Sequence, residues 1–154
     1  MGRETLHSTN FQMFFIIVSL VMFTCSDTVQ SSRSRRSVVN FGRMVRCATG
    51  RDPFDFVNYG CHCGLGGRGK TLDDIDRCCH SHDRCYRRLR SKGICNIFQI
   101  YLKSYRHSCY KCSSRNTGCS KGLCICDRKA AKCFKRHVKK YNRRMKHVEK
   151  DRMC

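Results

Sequence analysis

The ten residues from Arg77 to Tyr86, R-C-C-H-S-H-D-R-C-Y, hold three cysteines, two histidines and an aspartate. Such a mixture is open to three kinds of chemistry: a zinc site, a cysteine nucleophile, or a general base beside a ligand for a hard cation. Zinc takes four soft or imidazole ligands in a tetrahedron, commonly from C-x-x-C spacings. Adjacent Cys78 and Cys79, and Cys61 with Cys63 one residue between them, suit that chelate poorly. A nucleophilic thiol needs an unpaired cysteine, and with Cys25 set aside as part of the N-terminal apolar stretch the other 14 form an even set from which no free thiol can be singled out. The third option makes His82 a proton acceptor and Asp83 a cation ligand. Consecutive side chains project about 100° apart on a helix, so the two would serve neighbouring parts of one site. A calcium ion wants six to eight oxygens, more than one carboxylate provides. Tyr59 to Lys70, with five glycines in twelve residues, reads as a loop that can offer backbone carbonyls.

Two helices must position these groups. Thr71-Leu-Asp-Asp74 fits a helix start with acidic residues in the first turn. Beyond it Leu72, Ile75, Cys79, His82, Tyr86 and Leu89 recur at steps of three and four, one stripe of a helix that ends near Lys92 and Gly93. A second helical pattern, from about Leu123 to Tyr141, puts Asp127, Ala130, Ala131, Phe134 and Val138 on its inner face. Cys78 and Cys85 are seven apart on the first, Cys126 and Cys133 seven apart on the second, so each pair returns to one face after two turns. Bridges Cys85–Cys126 and Cys78–Cys133 would staple the helices antiparallel, with His82 between the rungs. Asp127 would then lie on an apolar stripe, which is costly unless something binds its charge. His82 is the obvious partner. Phe41 to Cys47 reads as a short amphipathic helix, and the region from Cys109 to Cys119 as a small hairpin.

Composition places the chain. Arg3 followed by the apolar run Phe11 to Thr24 reads as a signal peptide over 1–26, too short for a comfortable membrane span. A Ser-rich strip, 27–36, ends in Arg33-Ser-Arg-Arg36, a basic cleavage signal, so the mature domain is expected at 37–154. Its 14 cysteines imply a disulfide framework made in an oxidising compartment, hence a secreted, extracellular protein. The cross-links would supplement a core that is marginal at this size. Residues 37–154 carry 28 Lys and Arg against 9 Asp and Glu, a net +19. That field favours anionic lipid surfaces or sulfated, heparan-like polyanions, and secretion argues against nucleic acid. Many of the cations lie in Lys132 to Lys146, where a solvated helix face is the plain alternative.

Three segments, Y59-G-C-H-C-G-L-G-G-R-G, D76-R-C-C-H-S-H-D-R-C-Y86 and C124-I-C-D-R-K-A-A-K-C-F134, resemble in order and separation the signature segments of secreted, calcium-dependent phospholipase A2. The resemblance spans the mature segment from Ser37. It implies a mainly α, disulfide-rich fold: two long antiparallel helices, an N-terminal helix, a calcium loop and a small β-hairpin. It also implies His82 as catalytic base, Asp127 as its orienting carboxylate, and Tyr86 as a phenol bonded to that carboxylate. Tyr105 is the expected second phenol, with Tyr101 the alternative. Calcium would be held by Asp83 and by the carbonyls of His62, Gly64 and Gly66.

Cys47 and the C112-S-S-R-N-T-G-C119 segment resemble the pancreatic and cobra-type branch, which implies a Cys47–Cys109 bridge. The other implied pairs, besides the two rungs, are 61–154, 63–79, 95–119 and 112–124. The expected activity is calcium-dependent hydrolysis of the sn-2 ester of glycerophospholipids at membrane interfaces. Phe41, Met44, Val45 and Leu65 would supply apolar contacts to the membrane; Phe54 and Phe56 are divided between that rim and the core. The alternative is a basic toxin, antibacterial or heparin-binding protein acting through charge on the same scaffold. The intact Asp83 favours the enzyme.

Overall fold

The computed structural model describes residues 36–154; the expected signal peptide and processing strip lie outside these residues, save for Arg36. The first described element is helix α1, Arg36–Thr49. A 3-10 turn, Pro53–Phe56, follows. The two long helices are α2, Asp74–Ser91, and α4, Gly118–His137. Between them lie a short helix α3, Ile97–Leu102, and a two-stranded antiparallel hairpin of β1, His107–Ser108, and β2, Lys111–Cys112. After α4 come 3-10 turns at Val138–Lys140 and Arg143–Met145, and a final turn of helix α5, Lys150–Met153.

Helix α4 is the central element, because both α1 and α2 pack on it. Adjacent Ala130 and Ala131 are both buried and face two different clusters. One cluster joins Met44, Leu89, Ile100, Tyr105 and Leu123; the other joins Val45, Phe56, Tyr59, Ile75 and Phe134. Small residues at that seam let the helix backbones come close while larger side chains interlock on either side.

All seven bridges join the pairs implied above, including the Cys78–Cys133 and Cys85–Cys126 rungs. They close sequence separations of 12 to 93 residues. In the chain-entropy model each is worth about 2–4 kcal/mol, the larger part from constraining the unfolded chain.

Three local expectations change, and one short helix, α3, is an element the sequence did not announce. Helix α2 starts at Asp74, not at Thr71, because the Asp73 side chain accepts from the Asp76 amide and takes the capping position. The hairpin is shorter than Cys109 to Cys119, since α4 already begins at Gly118. Helix α3 carries no long apolar period, yet it is capped at both ends of its first turn: Asn96 accepts from the Gln99 amide and Gln99 returns the bond to the Asn96 amide. Finally, the basic C-terminal segment is not a continuous helix face. Past Val138 it folds back as a strap, with the Gly60 amide donating to Met145 and the His147 amide donating to Asn58. Tyr141 of this strap packs edge-on against Phe56, and the Cys154–Cys61 bridge fastens its end.

Candidate active site

Helices α2 and α4 bring His82 and Asp127 together across 45 residues of chain. The His82 Nε2 stands 2.6 Å from Asp127 Oδ1. A carboxylate accepts, so Nε2 carries the proton and Nδ1 is left with a free lone pair. The Asp127 side chain is wholly buried, and it accepts two further bonds, from the Tyr86 hydroxyl at 2.6 Å and from the Tyr105 hydroxyl. Three donors on one carboxylate offset its loss of water. Burial, and then the Asp127 charge, push both phenols well above their ordinary pKa, so they remain donors. Of the two tyrosines the sequence leaves open, Tyr105 makes the contact, while Tyr101 is partly exposed on α3.

The His82 ring is held between Phe41, stacked at 4.4 Å, and the Tyr86 ring at 4.3 Å. Only 12% of the His82 side chain is exposed. Phe41 thus forms a wall of the site. Met44 and Val45, expected among the outer apolar contacts, are instead core: Val45 is 2% exposed, because it sits on the stripe of α1 that faces α4. Phe56 is core as well, whereas Phe54 and Leu65 are each 75% exposed.

Beside His82 lies the glycine-rich loop, and a residue that sequence reasoning missed organises it. Asp76, fully buried in the first turn of α2, accepts from the amides of Cys61 at 2.9 Å, His62 at 2.7 Å and Leu72 at 3.0 Å. Gly60 has φ +57°, and a Cβ there would fall 2.4 Å from the Asp76 Cγ, so only glycine lets the loop reach this carboxylate. Asp76 was legible only as an acidic first-turn residue; nothing local marks it as the acceptor for a loop 15 residues upstream. The buried ring of His62 bonds through Nε2 to the Gly69 carbonyl at 3.1 Å and braces the loop's exit.

This neighbourhood fits a hard cation. Among the described residues, the carbonyls of His62, Gly64 and Gly66 accept no bond from a backbone amide, and Asp83 has no ion-pair partner. Burial raises the pKa of Asp83, against the opposing pull of His82. A Cβ at Gly67 would lie 3.0 Å from Asp83 Oδ2 and 3.0 Å from the His62 Nδ1, so glycine keeps the space between them open. The donor set is oxygen, suited to calcium. By contrast Cys78, Cys133 and His137, which also cluster, include a disulfide and so offer no thiolates for zinc.

A buried carboxylate, an oriented imidazole and a glycine-rich loop on disulfide-stapled helices are the groups of a hydrolase-type site. Similarity to known proteins narrows the class. The phospholipase A2 family model matches residues 38–146. A phospholipase A2 of Bos taurus is 38% identical over 129 residues, covering 79% of this chain and 88% of the relative. A membrane-associated phospholipase A2 of Rattus norvegicus is 45% identical over 107 residues, 69% and 73% of the two chains. One from Calliactis polypus is 36% identical over 151 residues, 93% of each. The chain belongs to the phospholipase A2 family.

The tyrosine pair supplies one test of the site. Tyr105→Phe should cost about 1.5–3 kcal/mol, since it removes a bond to a charged, wholly buried acceptor. Tyr101→Phe should be neutral. Thermal unfolding of both variants distinguishes them.

Proposed function

We propose that this protein hydrolyses the sn-2 ester of glycerophospholipids at membrane surfaces, releasing a fatty acid and a lysophospholipid, with calcium held by Asp83 and the His62, Gly64 and Gly66 carbonyls. The observation that carries this reading is the Asp127–His82 pair, whose remaining ring nitrogen is free to take a proton, set next to a loop with unused carbonyl oxygens. His82 removes a proton from water through Nδ1, while Asp127 fixes its tautomer and steadies the imidazolium that forms. Tyr86 and Tyr105 hold Asp127 in place. The same Nδ1 then returns the proton to the departing alcohol oxygen, so no covalent acyl-enzyme is needed. A bound calcium ion would supply positive charge for the substrate phosphate and for the oxyanion at the ester carbonyl. The Gly64 amide is the expected second donor to that oxyanion.

Fatty-acid release from phospholipid vesicles, with calcium and with chelator, tests the reading. Activity that persists in full in chelator would overturn it. Secretion is supported by the disulfide density and by the expected signal peptide, and among the described residues no helix is long and apolar enough to cross a membrane. The net +19 of residues 37–154 supports a preference for anionic membranes. Hydrolysis of anionic vesicles should therefore fall as salt rises, because exposed charges are screened beyond about 8–10 Å at physiological ionic strength.

Leu65, on the exposed part of the loop, is the proposed apolar contact, with Phe54 beside it in role; each is 75% exposed. Seating one leucine in lipid is worth about 1.5–3 kcal/mol. Leu65→Asp should lower hydrolysis of vesicles at least tenfold and leave hydrolysis of a monomeric short-chain phospholipid within about twofold. Equal loss on both substrates would place Leu65 in loop stability instead.

A further inference from the structure

A groove of about 860 Å³ runs between α2 and α4, on a side of α2 that includes neither Asp83 nor any residue of the glycine loop. Helix positions 78, 81, 82 and 85 form its α2 wall, and Asp83 projects about 200° from Ser81. Its floor is apolar: the two disulfide rungs and Ala130. Its α4 rim is cationic, with Lys129, Lys132, Lys135 and Arg136 all exposed. Tyr110 lines the groove opposite them, its ring 5.3 Å from Lys135 Nζ and 6.0 Å from Lys132 Nζ.

Lys132 and Lys135 lie against the Tyr110 ring, and Lys135 reaches the Tyr110 hydroxyl at 3.5 Å, but the four cations have no opposite charge to meet. Among the described residues none pairs with a carboxylate, although Arg77, Lys140 and His137 elsewhere on the surface do. Lys129 with Lys132, Lys132 with Lys135, and Lys132 with Arg136 stand three or four apart on one helix, where like charges oppose each other. An anion seated among them relieves that repulsion. The floor requires something else, because an ion or a sugar chain alone leaves it wet. A neutral lipid would cover the floor and leave the charges as they are.

We propose that this groove binds a long-chain carboxylate amphiphile, a free fatty acid, with its chain along the disulfide floor and its carboxylate among Lys129, Lys132 and Lys135. The site goes beyond hydrolysis and is separate from the loop that would hold calcium. It does take the class of molecule that the proposed reaction releases, and its back wall includes His82.

The test uses the processed protein in chelator, so that binding is read without turnover. The polyene fatty acid cis-parinaric acid, kept below its aggregation concentration, serves as a fluorescent probe. Saturable binding is expected, displaced by oleate and not by oleyl alcohol. The double variant Lys132→Gln, Lys135→Gln and, separately, the groove-filling Ser81→Trp should each weaken it at least tenfold. Circular dichroism checks that both variants are folded. Unchanged affinity in both folded variants overturns the proposal, since the probe then sits elsewhere, the surroundings of the glycine loop included. Displacement by oleyl alcohol as well as by oleate, or by a sulfated oligosaccharide but not by oleate, overturns it too. Calcium-dependent hydrolysis of a monomeric short-chain phosphatidylcholine is measured in parallel. Its absence from the wild type would count against the hydrolytic reading alone, and its retention in the double variant is expected either way.

Discussion

His82→Gln should reduce calcium-dependent fatty-acid release by at least about 10²–10⁴-fold, the usual contribution of a positioned general base. Glutamine can still donate to Asp127 from its amide, so the carboxylate keeps a third donor beside Tyr86 and Tyr105. What it lacks is a basic nitrogen facing the water. The variant should therefore stay folded, with seven bridges intact, and bind vesicles and calcium as the wild type does. Its loss should lie in kcat, because a proton acceptor acts in the transition state and not in substrate binding. Rates on vesicles and on monomeric substrate should fall together. Retention of more than a tenth of wild-type turnover would remove His82 from the base role.

Asp76→Ala is the second large effect, and it acts at a distance from the chemistry. The substitution strips the acceptor from the Cys61, His62 and Leu72 amides around a carboxylate with no exposure. The Cys61 and His62 amides are buried, and each unsatisfied buried donor costs about 1–3 kcal/mol, so a loss of at least about 2 kcal/mol is expected. The Cys61–Cys154 and Cys63–Cys79 bridges tie the same loop down and should prevent global unfolding. The damage should appear instead in the position of the His62 and Gly64 carbonyls. Calorimetric titration should show calcium binding weakened at least tenfold, with turnover recovering partly at high calcium. Partial rescue by calcium separates this variant from His82→Gln, which no calcium concentration restores. A calcium affinity within twofold of wild type would show that Asp76 stabilises the loop without shaping the cation site.

These two residues mark how far the primary structure could be read. His82 was legible because the cysteine pairs at 78 and 85, and at 126 and 133, share a two-turn spacing that a helix converts into a common face. That alone sets two helices side by side, His82 between the rungs and Asp127 within reach. Asp76 was hidden because its partners are backbone amides, which carry no identity in a sequence. Helix α3 was hidden for a related reason: six residues are too few to display a period, and side chains at its first turn cap it. Val45 was misread as an outer contact because its helix offers apolar residues on more than one side, and only docking against α4 decides which are covered.

The primary structure by itself determined the elements whose signal is local or covalent: the two long helices, the glycine loop, the two disulfide rungs between those helices, the excess of cations, and the chemical types gathered at the site; the other five bridges were implied only by the family resemblance. The tertiary structure alone decided which of two tyrosines reaches Asp127, which aromatic residues are rim and which are core, and where the basic C-terminal segment goes. It also decided that four lysines and arginines on one helix border an apolar groove. Periodicity and spacing register relations along a chain of known pitch. Contacts between separately folded elements depend on how they dock, and docking is set by shape and burial summed over both partners.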